Sequence, residues 1–282
     1  MPKSLSDKLY PNILRIEDDS IIFKGLIMNK KTSIIGIMLL ASSSVAMAGG
    51  IEAEPMTEPV WTMRPLITAS AGGLWTSEAG GSGAGHINTF YFDYDATDRS
   101  QSKTVFGGFA GVEIEKSHSW WAAQVGIGYY QPQSFTMSGI LTQSFHSGFS
   151  PQQYAYEYDV LVQQLMFEGK FLFLMSRYFL PYVTAGFGVA FNDASGFEAN
   201  FPLHVVSLHF KQHTQATATF QVGVGVDIDL FDHLRAGVGY RFTDLGKSRV
   251  SQGQFGSLFT TDVPRQGRML AQEVLGQLTL II

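Results

Sequence analysis

The chain has 282 residues, of which only 15% are charged, whereas 30 are glycine and 13% are aromatic. This composition is too apolar for a disordered protein, and a mean hydropathy of +0.07 is too low for a bundle of membrane-spanning helices. The lack of cysteine excludes a disulfide scaffold, cysteine-ligated metals and a lipoprotein anchor. The formal charge of −5 offers no basic field for nucleic acid, so we expect none as a partner. The main class left to test is the transmembrane β-barrel.

The first elements in chain order are predicted to direct export. Residues 28–48 begin with a short positive stretch, continue with an apolar core and end in a small-x-small cleavage site. This is the pattern of a signal peptide, and its apolar core is too short for a stable membrane helix. We expect residues 1–27 to precede the natural start, residues 49–64 to form a short periplasmic leader, and residues 65–282 to form the barrel.

Apolar residues recur at every second position beyond Pro65, which is the period of a β-strand. The segment from Thr219 to Leu230 shows this most clearly, because valine, isoleucine, leucine and phenylalanine alternate there with glycine and polar residues. The same period predicts eight strands. They are Leu66–Thr76, Phe106–Glu115, Trp121–Tyr129, Leu161–Phe173, Phe179–Phe191, Thr219–Leu230, Leu234–Phe242 and Met269–Ile282.

Short and long connections alternate strictly between these strands. The short ones have about three residues each, whereas the long ones have about 20–27. The long connections are 77–103, 132–158, 193–213 and 244–268. A soluble sandwich has no reason to alternate in this way, whereas outer-membrane barrels combine tight periplasmic turns with long surface loops. The sequence therefore predicts an all-β, eight-stranded antiparallel up-and-down transmembrane β-barrel with short periplasmic turns and four long extracellular loops.

The second face of the predicted strands mixes glycine with isolated charges. This combination suits the narrow lumen of a small barrel, where glycine admits neighbouring side chains and charges pair internally. The predicted lumen charge network consists of Glu113, Glu168, Lys170, Asp227, Arg235 and Arg241. Mutual neutralisation is the expected role of these charges because an unpaired buried charge is costly. A proton or ion path is the alternative.

Two segments, Pro181–Ala190 and Leu234–Gly246, carry a resemblance to a known family. The chain resembles the small eight-stranded outer-membrane barrels of the OmpA-like and opacity-protein superfamily, and the second segment is similar to its strand-to-loop passage Gly-Tyr-Arg-aromatic-x-Asp-Leu-Gly. The resemblance implies a cell outer-membrane location, lipid and lipopolysaccharide as neighbours, and insertion by the barrel-assembly machinery. Two departures are the terminal Ile282, where such barrels usually end in Phe or Trp, and the absence of a following peptidoglycan-binding domain.

Three groups of histidines are candidate sites, and each has a simpler explanation. The groups are His118-Ser119, His146-Ser147, and the trio His204, His209 and His213. Lipid A-modifying barrels use a His and a Ser near the outer leaflet, but the first pair lies at a periplasmic turn and the second has no evident carboxylate to orient it. The trio could ligate a transition metal, yet no carboxylate has ligand spacing. We expect no catalytic residues, no metal and no cofactor.

The long connections hold most of the surface available for function. Their aromatic rings lie among polar, weakly charged residues, and rigid rings bury contact area at little entropic cost. The contact candidates are Tyr91, Phe92, Tyr94, Phe145, Phe149, Tyr154 and Tyr156. The alternative is that these rings pack on the barrel rim and shield it.

These observations predict a non-enzymatic outer-membrane barrel that displays surface loops. It would act as a surface antigen or adhesion-type protein with an envelope-structural role, and its loops would contact a host-cell protein or glycan. One alternative is a narrow channel for small apolar solutes, as in OmpW-type barrels. Another is a lipid A-modifying enzyme, which requires His, Ser and a carboxylate to converge at the outer rim.

Overall fold

The structure of the protein is a computed structural model. It describes residues 60–77, 80–87, 90–97, 100–145, 150–176, 178–199, 209–251, 253–255, 258–259 and 266–282. The predicted signal peptide and most of the predicted leader lie outside these residues. In the described part of the chain, no helix is long and apolar enough to cross a membrane.

The regular structure consists of antiparallel β-strands. The strands are β1 (Trp61–Thr76), β2 (Ser82–Ile87), β3 (Phe90–Ala96), β4 (Ser102–Lys116), β5 (Trp121–Pro132), β6 (Phe135–Phe145), β7 (Gln152–Phe173), β8 (Leu180–Ala199), β9 (His209–Phe210), β10 (His213–Phe231), β11 (Leu234–Gly246), β12 (Gly253–Phe255), β13 (Leu258–Phe259) and β14 (Met269–Ile281). β1 begins at Trp61, so residues 61–64 of the predicted leader are already strand.

Eight strands close into a barrel. Their pairings run from β1 to β4, β5, β7, β8, β10, β11 and β14, and β14 pairs back with β1. If only these eight strands are counted, each one pairs with the strand before it and the strand after it in the chain. This is the up-and-down topology. The all-β, eight-stranded antiparallel barrel is therefore confirmed.

Alternation decides which side chains meet lipid and which face the lumen. On β10, Phe220 and Val222 are exposed on the outside, whereas Gln221 between them is buried. Similar exposed apolar side chains surround the barrel, and a soluble monomer does not expose so large an apolar surface. This lipid-facing belt includes Ile67, Val112, Val125, Ile127, Leu165, Phe167, Val183, Phe187, Val189, Val238, Val274 and Leu278.

Glycine makes room for large side chains in the lumen. A Cβ atom at Gly225 or Gly239 would overlap the phenol of Tyr182 from β8. The missing side chains on β10 and β11 thus let this ring lie across the interior. Glycine on the inward face is a packing requirement of a narrow barrel.

The long connections are more ordered than predicted. The connection 132–158 contains β6 and the start of β7, which pair as a hairpin, and β2 and β3 lie within 77–103. β3 pairs with β6, so the sheet order is β2-β3-β6-β7. We call this region the extension: β2, β3, β6, residues 152–160 of β7 and residues 193–199 of β8. A separate small sheet has the order β13-β12-β9.

The main hydrophobic core lies at the barrel mouth and under the extension. Rings from the extension pack there with aliphatic side chains from the upper ends of the barrel strands. The buried cluster, here called the cap, includes Leu74, Phe92, Tyr94, Val105, Phe135, Leu141, Tyr154, Tyr156, Tyr158, Val160, Val162, Leu245, Val250, Met269 and Leu275. The charged side chains thus lie mainly near the short turns, beside a small apolar cluster that includes Leu172 and Leu180, whereas aromatic and aliphatic side chains dominate the opposite end.

Candidate functional site: the lumen and the extension

The lumen near the short turns is spanned by a chain of ion pairs. Arg235 Nη1 lies 2.6 Å from Glu113 Oε2, and Arg235 Nε donates to Asp229 Oδ1 at 2.7 Å. Arg64 Nη2 approaches the other oxygen of Glu113 at 2.6 Å and reaches Glu115 at 3.0 Å. β1, β4, β10 and β11 are thereby linked across the interior.

A second group lies on β7, β8, β10 and β14. Lys170 Nζ is 2.6 Å from Asp227 Oδ2 and donates to Gln277 Oε1 at 3.2 Å. The same ammonium lies 3.8 Å from the centroid of the Tyr182 ring, a cation–π distance. The largely buried Lys170 side chain, which is 11% exposed, therefore has an ionic, a polar and an aromatic partner.

The third group lies higher in the lumen and centres on Arg241. Its guanidinium forms an ion pair with the buried Glu273, with Nε 2.8 Å from Oε2, and stacks 3.8 Å from the centroid of the Tyr130 ring. Tyr130 donates its hydroxyl to Glu168 Oε2 at 3.0 Å. Glu168 forms no ion pair with a lysine or arginine that the structure describes.

The charged and aromatic side chains described above occupy much of the lumen, and a small cavity remains between them. A cavity of about 40 Å³ borders Glu168, Lys170 and Arg241. It has room for only a few water molecules, since one water needs roughly 10–15 Å³ on this measure. Pairing offsets part of the cost of removing these charges from water, which is large for an isolated ion. The arrangement can hold the eight strands together across the interior.

All six residues of the predicted charge network lie in the lumen, and all except Glu168 form ion pairs. The predicted network omits four ion-pair partners: Arg64, Glu115, Asp229 and Glu273. The expected leader, residues 49–64, includes Arg64, which the structure places in β1. The alternation of β14 was sufficient to predict that Glu273 points into the lumen, because Met269, Ala271 and Leu275 lie on the same inward face.

The predicted contact residues of the extension divide by strand face. Tyr91 is 43% exposed, but the side chains of Phe92, Tyr94, Tyr154 and Tyr156 are buried. For these four residues the prediction of a contact surface is wrong. Alternation places them on the inner face of the extension, where they pack into the cap. The backbone of Phe145 ends β6, and Phe149 lies outside the described residues.

Aromatic packing gives the cap a rigid, apolar centre. The ring centroids of Tyr94 and Tyr156 are 6.1 Å apart in an edge-on arrangement, and Tyr156 stacks on Phe197 at 5.4 Å. Burial raises the pKa of the Tyr158 phenol to about 12, and burial also raises the pKa of Tyr156 above its usual range. Both phenols are therefore neutral at physiological pH.

The outer face of the extension has the opposite character. Ile140 is 44% exposed there and lies opposite Asp95 of β3, and Asp93 follows Tyr91 on the same face of β3. Glu157 of β7 and Glu198 of β8 are directly opposed in the register, an arrangement of like charges that destabilises a sheet. The exposed acidic residues are Asp93, Asp95, Glu157, Asp159 and Glu198. The described extension contains no lysine or arginine.

The family follows from the sequence of the barrel itself. A family model described as the outer membrane protein beta-barrel domain matches residues 65–261. The chain belongs to this family. The predicted outer-membrane location is confirmed, and the resemblance to OmpA-like barrels agrees with it. No curated protein matches the chain in sequence.

Solved structures of outer-membrane barrels are similar to this chain at low identity. Neisserial surface protein A is 10% identical, with coverage of 77% of this chain and 96% of that chain and a TM-score of 0.37. OprG from Pseudomonas aeruginosa is 11% identical, with coverages of 76% and 95% and a TM-score of 0.44. The outer membrane protease OmpT from Escherichia coli is 8% identical, with coverages of 78% and 97% and a TM-score of 0.45.

The candidate histidines do not form one group in the described structure. His118 lies in the turn between β4 and β5 with a φ of 61°, whereas His146 and His204 lie outside the described residues. His213 begins β10, and Arg249 Nε is 3.3 Å from its Nε2. Burial, reinforced by the neighbouring Arg249 charge, lowers the pKa of His213. Among the residues that the structure describes, no three metal-type side chains converge.

Proposed function

We propose that this protein is a non-conducting, non-enzymatic outer-membrane barrel that presents the outer face of its extension at the cell surface. The observation that carries the proposal is the division of the extension into two faces. Its inner face is buried in the cap, and its outer face exposes Tyr91 and Ile140 among carboxylates. In outer-membrane barrels the long connections lie on the extracellular side, which directs this face outward.

Anchoring rather than transport is supported by the filled interior. Ion pairs occupy the lumen near the short turns, and the cap fills the mouth. A solute would have to displace both to pass. An eight-stranded barrel is narrow enough for side chains alone to fill it.

The partner class that fits this face is a protein or glycan. Exposed aromatic or aliphatic side chains within a polar rim are typical of contact surfaces, where a few apolar residues contribute most of the binding energy. Tyr91 and Ile140 are such residues. The surrounding carboxylates favour a partner with complementary positive charge or hydroxyl donors.

Two further partners belong to this proposal. The apolar belt would contact outer-membrane lipid and lipopolysaccharide, and the barrel-assembly machinery would insert the chain. The final strand, β14, pairs with both β11 and β1, so closure of the barrel depends on it.

A channel for small apolar solutes has less support. The described lumen cavity of about 40 Å³ is lined mainly by polar side chains, including Gln124, Glu168 and Arg241. Such a lining does not suit an apolar solute, because its polar groups would lose hydrogen bonds to water.

The test is a gain-of-adhesion assay. The barrel is produced in the outer membrane of a non-adherent Gram-negative host, and binding to host cells or extracellular matrix is counted. Wild type should bind, and the double substitution Tyr91→Ser, Ile140→Ser should abolish binding while leaving the cap intact. Tyr178→Ser is the matched control, because Tyr178 is 74% exposed at the opposite end.

Surface exposure of each variant is checked with an antibody to a tag. Correctly exposed wild-type barrel that adheres to no cell or matrix component would contradict the proposal. Equal adhesion of wild type and the double variant would show that the partner contacts a different surface.

A further inference from the structure

Three neighbouring strands place Glu168, Gly186 and Gln221 side by side in the lumen. Glu168 of β7 is paired with Gly186 of β8, and Gly186 is paired with Gln221 of β10. Because neighbouring strands lie about 4.8 Å apart, the two long side chains flank a position that carries no side chain. Both of them border the lumen cavity of about 40 Å³.

Gly186 forms the floor of a cleft between these two side chains. A Cβ atom at position 186 would lie 3.0 Å from Cγ of Glu168 and 3.1 Å from Nε2 of Gln221. The side chains therefore converge over the glycine. Ser70 of β1 borders the same cavity from the opposite wall, because β1 lies four strands away from β8 in either direction around the barrel.

The cleft presents buried oxygen atoms that lack partners. Among the residues that the structure describes, Glu168 Oε1, Gln221 Oε1 and Ser70 Oγ have no hydrogen-bond partner. The three residues are only 7%, 1% and 8% exposed, respectively. Buried polar atoms in folded proteins are normally satisfied, so this cleft is suited to a ligand that binds oxygen atoms.

The charges around the cavity leave one carboxylate without a basic partner. Lys170 is paired with Asp227, and Arg241 is paired with Glu273. Glu168 is the third carboxylate beside these two basic side chains, and it forms no ion pair with a described lysine or arginine. An unpaired buried charge is costly, and a bound cation would offset this cost whereas a bound anion would increase it.

The donor atoms and the size of the cavity define the cation. Carboxylate, amide and hydroxyl oxygens are ligands for hard metal ions. One unpaired carboxylate matches a single positive charge. The cavity has room for such an ion with about one or two water molecules, since one water needs roughly 10–15 Å³ on this measure.

We propose that Glu168, Gln221 and Ser70 bind a monovalent alkali cation in the centre of the lumen, over the floor formed by Gly186. The inference does not depend on the proposed display function. It gives a role to Glu168, the member of the predicted charge network that forms no ion pair. The cation taken up from solution would complete the charge pairing of the barrel interior.

The dependence of folding stability on the type of salt tests this site. The barrel is folded into phospholipid vesicles and titrated with urea, while sodium or potassium chloride is replaced by choline chloride at constant ionic strength. Choline is too large for the cavity. Raising the alkali cation from about 30 to about 300 mM should raise the ratio of folded to unfolded protein by up to about ten-fold, because only the folded state binds it.

Three variants separate the site from general effects of salt. Glu168→Gln should abolish the dependence on alkali cation, because it removes the unpaired charge. Gly186→Ala should weaken the dependence while every charge remains, because the added Cβ occupies the floor of the cleft. Glu198→Gln is the matched control and should behave as wild type, because Glu198 is exposed on the outer face of the extension.

Anomalous diffraction from wild-type crystals grown in rubidium chloride locates the ion without any substitution. A peak between Glu168 and Gln221 is expected, and a lumen without a peak would contradict the proposal. Equal stability of wild type in alkali and choline salts would overturn it, as would an undiminished dependence in Glu168→Gln. A wild-type stability that follows pH but not the type of cation would show that a proton neutralises Glu168 instead.

Discussion

The two ends of the barrel interior differ in chemistry although the same strands build both. The inward face of β7 carries Tyr156 and Tyr158 in the cap and then Glu168 and Lys170 in the lumen. Near the short turns, the narrow lumen brings charged side chains from different strands close enough to form ion pairs. At the mouth, the extension supplies enough aromatic and aliphatic surface to form a core with the ends of the barrel strands.

Two kinds of interaction therefore occupy the interior of one barrel. The lumen gains specificity from ion pairs, whose Coulomb attraction offsets a high desolvation cost. The cap gains stability from burying aromatic and aliphatic area. Removing one member of an ion pair should therefore disturb the whole barrel, whereas a truncation in the cap should act locally.

The largest expected effect is that of Arg241→Met. It leaves Glu273 fully buried without its ion-pair partner, which should cost about 3–5 kcal/mol. Urea titration of folding into phospholipid vesicles, with electrophoretic mobility as the readout, measures this loss. The double variant Arg241→Met, Glu273→Leu removes both charges and should recover most of the stability. A single variant as stable as wild type would show that the pair is dispensable.

Leu141→Ala should cost somewhat less, about 3 kcal/mol, and only in the cap. Leu141 lies on the inner face of the extension, where it is fully buried in the cap, and removal of its side chain leaves a cavity there. Limited proteolysis should cut the extension faster while the barrel keeps its folded electrophoretic mobility. Ile140→Ala, the exposed neighbour, is the control and should leave the cleavage rate unchanged. Unfolding of the barrel together with the cap would contradict the division into two regions.

Alkali should loosen the cap before it affects the lumen. The raised pKa of Tyr158, about 12, exceeds its unfolded value of roughly 10, so the folded cap favours the neutral phenol. Its stabilising contribution is complete below pH 10 and is lost as the pH rises through about 12. Protease sensitivity of the extension between pH 9 and 12 measures this. Tyr158→Phe should weaken the dependence, and an unchanged pH profile in that variant would refute the role of this phenol.

The smallest effect concerns His213 at the start of β10. Burial and the Arg249 charge lower the pKa of His213, so the folded state favours the neutral ring. Stability should therefore decline slightly as the pH falls below roughly 6.5, where the unfolded histidine gains a proton. An NMR titration of the ring should give a pKa below that value, and Arg249→Gln should raise it. An identical pKa in both proteins would rule out the Arg249 contribution.

The alternation of apolar and polar residues allowed the two faces of the barrel strands to be predicted from the sequence. It separated the apolar outer face of Thr219–Leu230 from its polar inner face, and the structure has the same division. The same rule applies to the extension, where tyrosines at 154, 156 and 158 alternate with Ala155 and Glu157. The predicted loop 132–158 includes this segment, whose period of two is nevertheless that of a strand.

Long-range pairings could not be predicted in the same way. The extension exists because β3 pairs with β6, which is about fifty residues away, and no local pattern specifies that partner. Arg64 likewise meets Glu113 only after β1 and β4 are aligned in register. Alternation predicts which way a side chain points, whereas its partner depends on how the sheet closes.

Electrical recording tests directly whether the folded barrel conducts ions. Purified barrel is inserted into a planar lipid bilayer at neutral pH, and the current is recorded at both polarities. Because ion pairs fill the lumen and the cap fills the mouth, we expect no stepwise increase in conductance when folded barrel inserts. Stable, repeated conductance steps from correctly folded protein would contradict a closed, non-conducting barrel.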